Sequence, residues 1–315
     1  MFLISVLTIF GTYKLLLVLF NHRIPALFGA WSITFSPSFF YYAINPLPDN
    51  FALCCAVWGM AFFFSWFKNK RIGLLVFSSF LFGLGALAKL PFILYFIVPF
   101  IYFITKIWKE GLRGKVIAGP FLVFLFALLP ISWYAWVIPT WSGNGIVSGI
   151  IDNQAPFSQL LSYLVHHLVS TLPEMLVNYA AFPFLITGFY FLIKNKAYKN
   201  NKFVIVLALS FAVLAYFLFE LNMIAKAHDY YLFPFLPLIF MLIGYGAFHL
   251  FKINRSMAKI SVVVLLLMLP FTCHLRMKVR WNLDRPGFNK DLLLYKGSLR
   301  NAVPDDKLVV AGNDM

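Results

Sequence analysis

The 315-residue sequence has few charged residues and very few acidic ones. Only 12% of its residues are charged, and 11 acidic side chains stand against 26 basic ones. Soluble domains carry about a quarter charged residues, so this composition excludes an ordinary water-soluble fold. Hydrophobic residues make up 62% of the chain, with 38 Phe and 15 Tyr among them. The composition predicts an integral membrane protein whose aromatic residues face lipid and the membrane interface.

Cysteine is also scarce. Cys54, Cys55 and Cys273 show neither metal-ligand spacing nor a disulfide framework. Cys54 and Cys55 adjoin each other in one apolar run, so packing is the favoured interpretation over a bond to Cys273. The basic residues are dispersed among loops and form no single stripe, which argues against nucleic-acid binding.

Long apolar runs separated by short polar loops follow one another along the chain. A membrane-spanning helix needs about 20 apolar residues, so the pattern predicts an all-α polytopic membrane protein with about ten such helices. The predicted spans are residues 2–20, 25–44, 51–67, 72–88, 92–105, 116–137, 175–193, 203–219, 231–251 and 260–273.

Charge alternates from loop to loop. Basic residues concentrate at 68–71, 106–115, 194–202 and 252–259, which the positive-inside rule assigns to the cytoplasm. The intervening loops hold few basic residues but most of the acidic ones. These acids are Asp49, Asp152, Glu174, Glu220 and Asp229. Their distribution predicts a working face outside the cytoplasm, with chance segregation of so few residues as the alternative.

The largest outer loop, residues 138–174, contains a helical pattern. Apolar residues from Phe157 to Val169 recur at i, i+3, i+4, i+7 and i+8, and polar residues occupy the other side. This pattern predicts an interfacial helix at residues 157–171 that lies in the outer membrane surface. Such a helix would cover a lipid-accessible cavity or fill a gap between spans.

Both ends of the sequence resemble the ends of a fragment. Charged residues return from Arg276, and residues 307–311 predict a strand that has nothing to pair with. We therefore expect a transmembrane domain at 1–275, followed at 276–315 by the beginning of an exported α/β domain. No basic segment precedes the first apolar run, which is consistent with a sequence whose start is missing. The alternative is a genuine N-terminus that is inserted as a helical hairpin.

A polar corner, the motif NPLPDN at residues 45–50, separates two apolar runs. Its prolines and asparagines predict a turn just outside the membrane. Asp49 is then close to hydrocarbon, where a carboxylate is costly unless it is hydrated or held for a purpose. The alternative to a functional acid is a solvated turn residue that caps the next helix.

Lys89 ends the small-residue motif GLGALAK, residues 83–89. It lies at the outer end of its predicted helix, so it cannot extend toward the cytoplasm. A lysine this close to the membrane favours an anionic partner, and a phosphate suits its point charge. Contact with outer water, or a structural pair with Asp49, is the alternative.

The motif HDYYLFP, residues 228–234, opens the ninth predicted span from outside, and Glu220 ends the eighth. His228 beside Asp229 would suit a phosphate or sugar contact, or else an ordinary interfacial cap within an aromatic belt. His228 is a candidate donor-phosphate ligand, and Glu220, Asp229 and Tyr230 are accessory candidates.

These motifs, with Ser36 and Pro37, resemble the membrane glycosyltransferases of the GT-C superfamily. They are most similar to the family of dolichyl-phosphate-mannose protein mannosyltransferases and aminoarabinose transferases. The likeness covers most of residues 1–275. It implies an enzyme that moves a sugar from a polyprenyl-phosphate donor to a lipid, glycan or protein acceptor. The family carries an essential acid in its first outer loop, whereas this sequence begins at what resembles the second span.

In the implied reaction, Lys89 and His228 stabilise the departing phosphate, and a carboxylate takes the acceptor's proton. Asp49 is the candidate catalytic acid in this sequence, in an assisting role. The implied reaction is compatible with a divalent cation, but the sequence assigns no metal site. The expected location is the plasma membrane, with the active face outside the cytoplasm. The competing hypotheses are a multi-pass transporter or flippase, and a non-catalytic assembly subunit of cell-envelope glycan synthesis.

Overall fold

The computed structural model describes residues 1–111, 114–140, 155–224 and 229–280, where all regular structure is helical. Helices satisfy every backbone group internally, as a lipid environment requires. In the first half of the chain the helices are α1 (Phe2–Phe20), α2 (Arg23–Thr34), α3 (Pro37–Tyr42), α4 (Pro48–Asn69), α5 (Ile72–Ala88), α6 (Ile97–Glu110) and α7 (Gly114–Val137). A 3₁₀ segment, Leu90–Phe96, joins α5 to α6, and another, Ile138–Thr140, follows α7.

The second half continues the same pattern. Its helices are α8 (Phe157–His166), α9 (Phe182–Lys194), α10 (Asn201–Phe219), α11 (Leu221–Ile224), α12 (Leu236–Lys252) and α13 (Ser256–Arg280). A π-helix, His167–Val177, extends α8 without a break, and 3₁₀ segments at Ala197–Lys199 and Asp229–Phe235 precede α10 and α12. The predicted strand, the rest of the expected exported domain beyond Arg280, and Asp152 lie outside the described residues.

Within the described ranges, eight helical segments are long and apolar enough to cross a membrane, and α5 and α9 are shorter apolar helices. The prediction of an all-α polytopic membrane protein is confirmed. The segment Phe157–Val177 is one of the eight by length and composition. Its predicted placement along the outer surface therefore stays a prediction.

The predicted span at residues 25–44 is not one helix. It breaks after Thr34, and Ser36 is extended with φ −65° and ψ 120°. Pro37 follows, and a residue before proline is disfavoured in the helical region. The chain therefore turns at this point and starts again as α3.

Two helical segments form the centre of the bundle. The spans Pro48–Asn69 and Tyr230–Lys252 are 72% and 78% buried, against 17% for Ala118–Thr140. α4 lies between α1 and α5, whereas α12 lies between α2 and α9. The two central segments contact each other where the 3₁₀ segment Asp229–Phe235 meets α4. This meeting point is the region of the candidate site.

Glycines let the helices around α12 approach closely. A Cβ at Gly246 would lie 2.0 Å from the carbonyl oxygen of Phe184, and one at Gly188 would lie 2.2 Å from that of Leu242. Without a hydrophobic force between helices in lipid, close backbone packing is a main source of association. These glycines therefore set the spacing of α9 and α12.

Candidate functional site

Asp49 lies at the buried start of α4. Pro48 occupies the first helical turn, where proline's missing N–H leaves no bond unmade. Asp49 follows in the same turn and is only 1% exposed. Leu47 and not Asp49 is the capping residue. The interpretation of Asp49 as a solvated capping aspartate is therefore wrong.

Hydrogen bonds hold the polar corner against α3. The amide of Asn45 donates to the carbonyl oxygen of Tyr41 at 3.0 Å, and the amide of Asn50 donates to that of Tyr42. The Tyr42 ring in turn contacts the rings of Tyr230 and Phe233. The corner is thus a packed element that fixes where the Asp49 side chain begins.

Lys89 lies between α5 and the 3₁₀ segment Leu90–Phe96. Its backbone is extended, with φ −154° and ψ 116°, so it separates the end of α5 from the start of the 3₁₀ segment. Its Nζ lies 3.5 Å from Oδ2 of Asp49. That separation exceeds the roughly 2.8 Å of a charge-assisted hydrogen bond. The pair is an ion pair in which Lys89 keeps donor capacity for another anion.

Two tyrosine rings lie beside the Lys89 ammonium group. Nζ is 4.3 Å from the ring centroid of Tyr231 and 5.4 Å from that of Tyr230. Tyr95 brings the two 3₁₀ segments together, because its hydroxyl donates to the carbonyl oxygen of Pro234 at 2.8 Å. The aromatic faces stabilise a cation where water is scarce.

Lys89 opens onto a cavity of about 310 Å³. Its lining includes the polar side chains of Lys89, Glu220 and three tyrosines, and the rest of the lining is apolar. The lining residues are Ala88, Lys89, Leu90, Pro91, Ile93, Leu94, Tyr134, Tyr216, Glu220, Met223 and Tyr231. This mixed lining suits a ligand that carries a charged group on an apolar body.

Glu220 lies where α10 ends, and it is 7% exposed. Its atom Oε2 is buried without a hydrogen-bond partner, as is the hydroxyl of Tyr216 one helical turn earlier. Burial raises the pKa of the Glu220 carboxyl above its ordinary value. Glu220 and Tyr216 therefore contribute unpaired polar atoms to the cavity that Lys89 also lines.

The structure brings together four of the six residues singled out from the sequence: Asp49, Lys89, Glu220 and Tyr230. Asp229 begins the 3₁₀ segment that carries Tyr230 and Tyr231, but its side chain and all of His228 lie outside the described residues. No group of three metal-ligating side chains occurs in the part of the chain that the structure describes.

Sequence reasoning overlooked Tyr134, Tyr216 and Tyr231 as lining residues. Tyrosine is abundant in this chain, so one more within an apolar run carries no signal by itself. Tyr216 could have been found through its spacing, because residues at i and i+4 share a helix face and Glu220 was already a candidate.

The helical bundle thus places a buried carboxylate beside a lysine that lines a largely apolar cavity. Residues 1–136 match the family model described as dolichyl-phosphate-mannose-protein mannosyltransferase. Over these residues the match confirms the resemblance recognised in the sequence, and it supports a membrane glycosyltransferase of the GT-C type. It includes Asp49 and Lys89, while Glu220 and Tyr230 lie beyond it. No curated protein matches the chain.

Proposed function

We propose that this protein transfers a sugar from a polyprenyl-phosphate donor to the hydroxyl group of a lipid, glycan or protein acceptor. The observation that carries the proposal is that Lys89, paired with Asp49, lines a cavity whose other lining residues are mostly apolar. A polyprenyl-phosphate sugar has the same division, with an anionic phosphate between a sugar and a hydrocarbon chain. The family match supports this class of donor.

In this proposal Lys89 binds the donor phosphate. Its ammonium group has three hydrogen-bond donors, and Asp49 at 3.5 Å leaves room for phosphate oxygens beside it. As the sugar–phosphate bond breaks, negative charge grows on the phosphate. A cation fixed in a water-poor site stabilises that charge more than water does.

Asp49 is then the residue that positions Lys89. Its carboxylate is almost fully buried and lies at the start of α4, where the helix dipole favours negative charge. Without it, the flexible lysine side chain would extend toward water. The proposed role is to hold the Lys89 side chain oriented toward the cavity.

The apolar walls receive the donor's hydrocarbon. Leu90, Pro91, Ile93 and Leu94 lie on one 3₁₀ segment, and Met223 also lines the cavity. The volume of about 310 Å³ is at the lower end for small-molecule sites. It suits the phosphate with its adjoining groups, while the remaining isoprene units extend into lipid.

The proposed active face is the outer side of the plasma membrane. Asp49, Lys89 and Glu220 are at the ends of α4, α5 and α10 that lie opposite Lys68, Arg71 and Lys202. The positive-inside rule assigns the basic ends to the cytoplasm. His228 and Asp229 are expected to complete the phosphate side of the site from the loop before Tyr230.

The proposal is tested by replacing Lys89 with Ala. Charged hydrogen bonds contribute about 1.5–3 kcal/mol, so donor binding and sugar transfer should fall about 10- to 100-fold. The assay measures transfer from a radiolabelled polyprenyl-phosphate sugar to extracted acceptors in membranes with equal protein levels.

Lys70→Ala is a matched control for this experiment. Lys70 also lies over aromatic rings, 4.9 Å from that of Trp66, and donates to the hydroxyl of Tyr102. It is at the opposite end of α4 from Asp49, so transfer should stay close to that of the unaltered protein. Full activity of Lys89→Ala at normal protein levels would refute the assignment of Lys89.

A further inference from the structure

We propose that Glu220 and Tyr216 form the acceptor subsite of the cavity, and that Glu220 is the base that takes the proton from the acceptor's hydroxyl group. The inference rests on the proposed function, because it assigns the second substrate of the same reaction to the same cavity. It gives this chain a base of its own among the described residues.

The first observation is a buried carboxylate oxygen without a hydrogen-bond partner. Glu220 is 7% exposed, and its Oε2 makes no hydrogen bond. Buried polar groups are nearly always hydrogen-bonded, and an unpaired one is strongly unfavourable. A carboxylate left this way beside a cavity indicates that a bound molecule supplies the missing donor.

Tyr216 gives a second, separate observation. Its hydroxyl is also buried without a partner, and it lines the same cavity as Glu220 and Lys89. Tyr216 and Glu220 lie four residues apart on consecutive turns at the end of α10, so they share a face. Two unpaired groups side by side on one cavity wall point to a single ligand.

An alcohol is the ligand chemistry that satisfies both groups. A hydroxyl group can donate its proton to the Glu220 carboxylate and accept a hydrogen bond from the Tyr216 phenol. The site is therefore assigned to a neutral, hydroxyl-bearing acceptor. An acceptor that is anionic at the reacting position would be repelled by Glu220.

Glu220 is better placed than Asp49 for the proton transfer. Asp49 has Lys89 as its partner at 3.5 Å, whereas Oε2 of Glu220 has none. Burial raises the pKa of Glu220, which makes it a stronger base than a hydrated carboxylate. A general base is most effective when its pKa approaches the working pH.

The reaction then balances within one cavity. The acceptor's oxygen forms a bond to the anomeric carbon of the donor sugar, and its proton moves to Oε2 of Glu220. The bond from the anomeric carbon to the phosphate oxygen breaks, and its electron pair stays on the polyprenyl phosphate beside Lys89. Glu220 later releases the proton to water.

The experiment compares Glu220→Gln with the unaltered full-length protein in nanodiscs. Two quantities are measured separately: binding of polyprenyl phosphate by competition against a photoreactive analogue, and transfer of the sugar to acceptor. Loss of a general base lowers rates by about 10²- to 10⁴-fold, so transfer should fall by that factor. Binding of polyprenyl phosphate should change by less than about 3-fold, because the proposal assigns phosphate binding to Lys89.

The pH dependence gives a readout that a structural role would not produce. Glu220 must be ionised to accept a proton, and its raised pKa places the loss of activity at a higher pH than for an ordinary carboxylate. Transfer by the unaltered protein should thus fall on acidification through that pKa, and Glu220→Asp should retain an acidic limb. The other titratable groups that line the cavity are Lys89, Tyr134, Tyr216 and Tyr231, with Asp49 beside Lys89.

Glu174→Gln is the control for the charge change. Glu174 is paired with Arg276 and accepts a hydrogen bond from Tyr179, and it is not among the cavity's lining residues. Its transfer rate should stay within a few-fold of normal. Tyr216→Phe should weaken acceptor binding, seen as a higher KM for the acceptor with donor binding unchanged.

The two proposals fail in different ways. If the unaltered protein does not bind polyprenyl phosphate, the proposed function itself is refuted. If it binds and Lys89→Ala abolishes transfer while Glu220→Gln transfers normally, only the acceptor subsite is refuted. Equal loss of polyprenyl phosphate binding in Glu220→Gln would also overturn the assignment of Glu220 to the acceptor.

Discussion

The ion pair of Asp49 and Lys89 should appear as a coupling energy in a double-mutant cycle. The perturbations are Asp49→Asn, Lys89→Met and the two together. Asn keeps the shape of the carboxylate without its charge, and Met keeps most of the length of the lysine. The cycle therefore removes charge with little change of volume.

The magnitude follows from the geometry. Two unit charges 3.5 Å apart attract each other by about 5 kcal/mol at an effective dielectric constant of about 20. The side chain of Asp49 is 2% exposed and that of Lys89 is 20% exposed, so the burial cost falls mainly on the acid. Either single replacement leaves one charge uncompensated and should lower the free energy of unfolding by about 3 kcal/mol.

The double replacement should cost less than the sum of the two, because no unpaired charge remains. We expect a coupling energy of about 2 kcal/mol. The free energy of unfolding is measured in mixed detergent micelles at increasing denaturing detergent, with the same helical signal for all four proteins. Additive single effects would show that Asp49 and Lys89 do not form a pair, and would remove the proposed positioning role of Asp49.

Two further predictions concern packing and topology. Gly246→Ala should destabilise the bundle by about 1–3 kcal/mol, since its Cβ would lie 2.0 Å from a backbone oxygen. Gly73→Ala is the control, because its Cβ would meet nothing within 4 Å, and it should leave the thermal unfolding temperature unchanged or slightly raised. Equal effects of the two replacements would contradict the close approach of α9 and α12. For the segment Phe157–Val177, single cysteines at Ser158 and Leu161, both exposed on the protein surface, should react differently with a water-soluble maleimide if the segment lies in the membrane surface. Equal labelling would reject the amphipathic placement.

Much of the bundle could be predicted from apolar run length alone. The predicted spans at residues 2–20 and 72–88 have the same bounds as α1 and α5. This works because lipid forces backbone groups to pair within a helix, so local composition decides the local structure. It failed at residues 25–44, where Pro37 breaks an apolar run that is long enough to cross.

The candidate site divides in the same way. Charge near hydrocarbon is so costly that Asp49 and Lys89 could be recognised from the sequence as exceptions that need a reason. Their distance of 3.5 Å could not be predicted, because the hydrophobic periodicity of a sequence does not show which helix ends are neighbours. Tyr216 drew no attention because a tyrosine in an apolar helix is ordinary until its hydroxyl is found unpaired beside Glu220.

The sequence by itself determined the class of protein, the helices and the residues whose charges require partners, because these depend on local composition and the cost of burying charge. Only the tertiary structure decided that the end of α5 with the 3₁₀ segment after it, α7, the end of α10 and the segment before α12 converge on one cavity. That convergence depends on contacts between helices far apart in the chain, such as the hydrogen bond from Tyr95 to Pro234. Such contacts arise from the packing of whole surfaces, and no single stretch of sequence contains them.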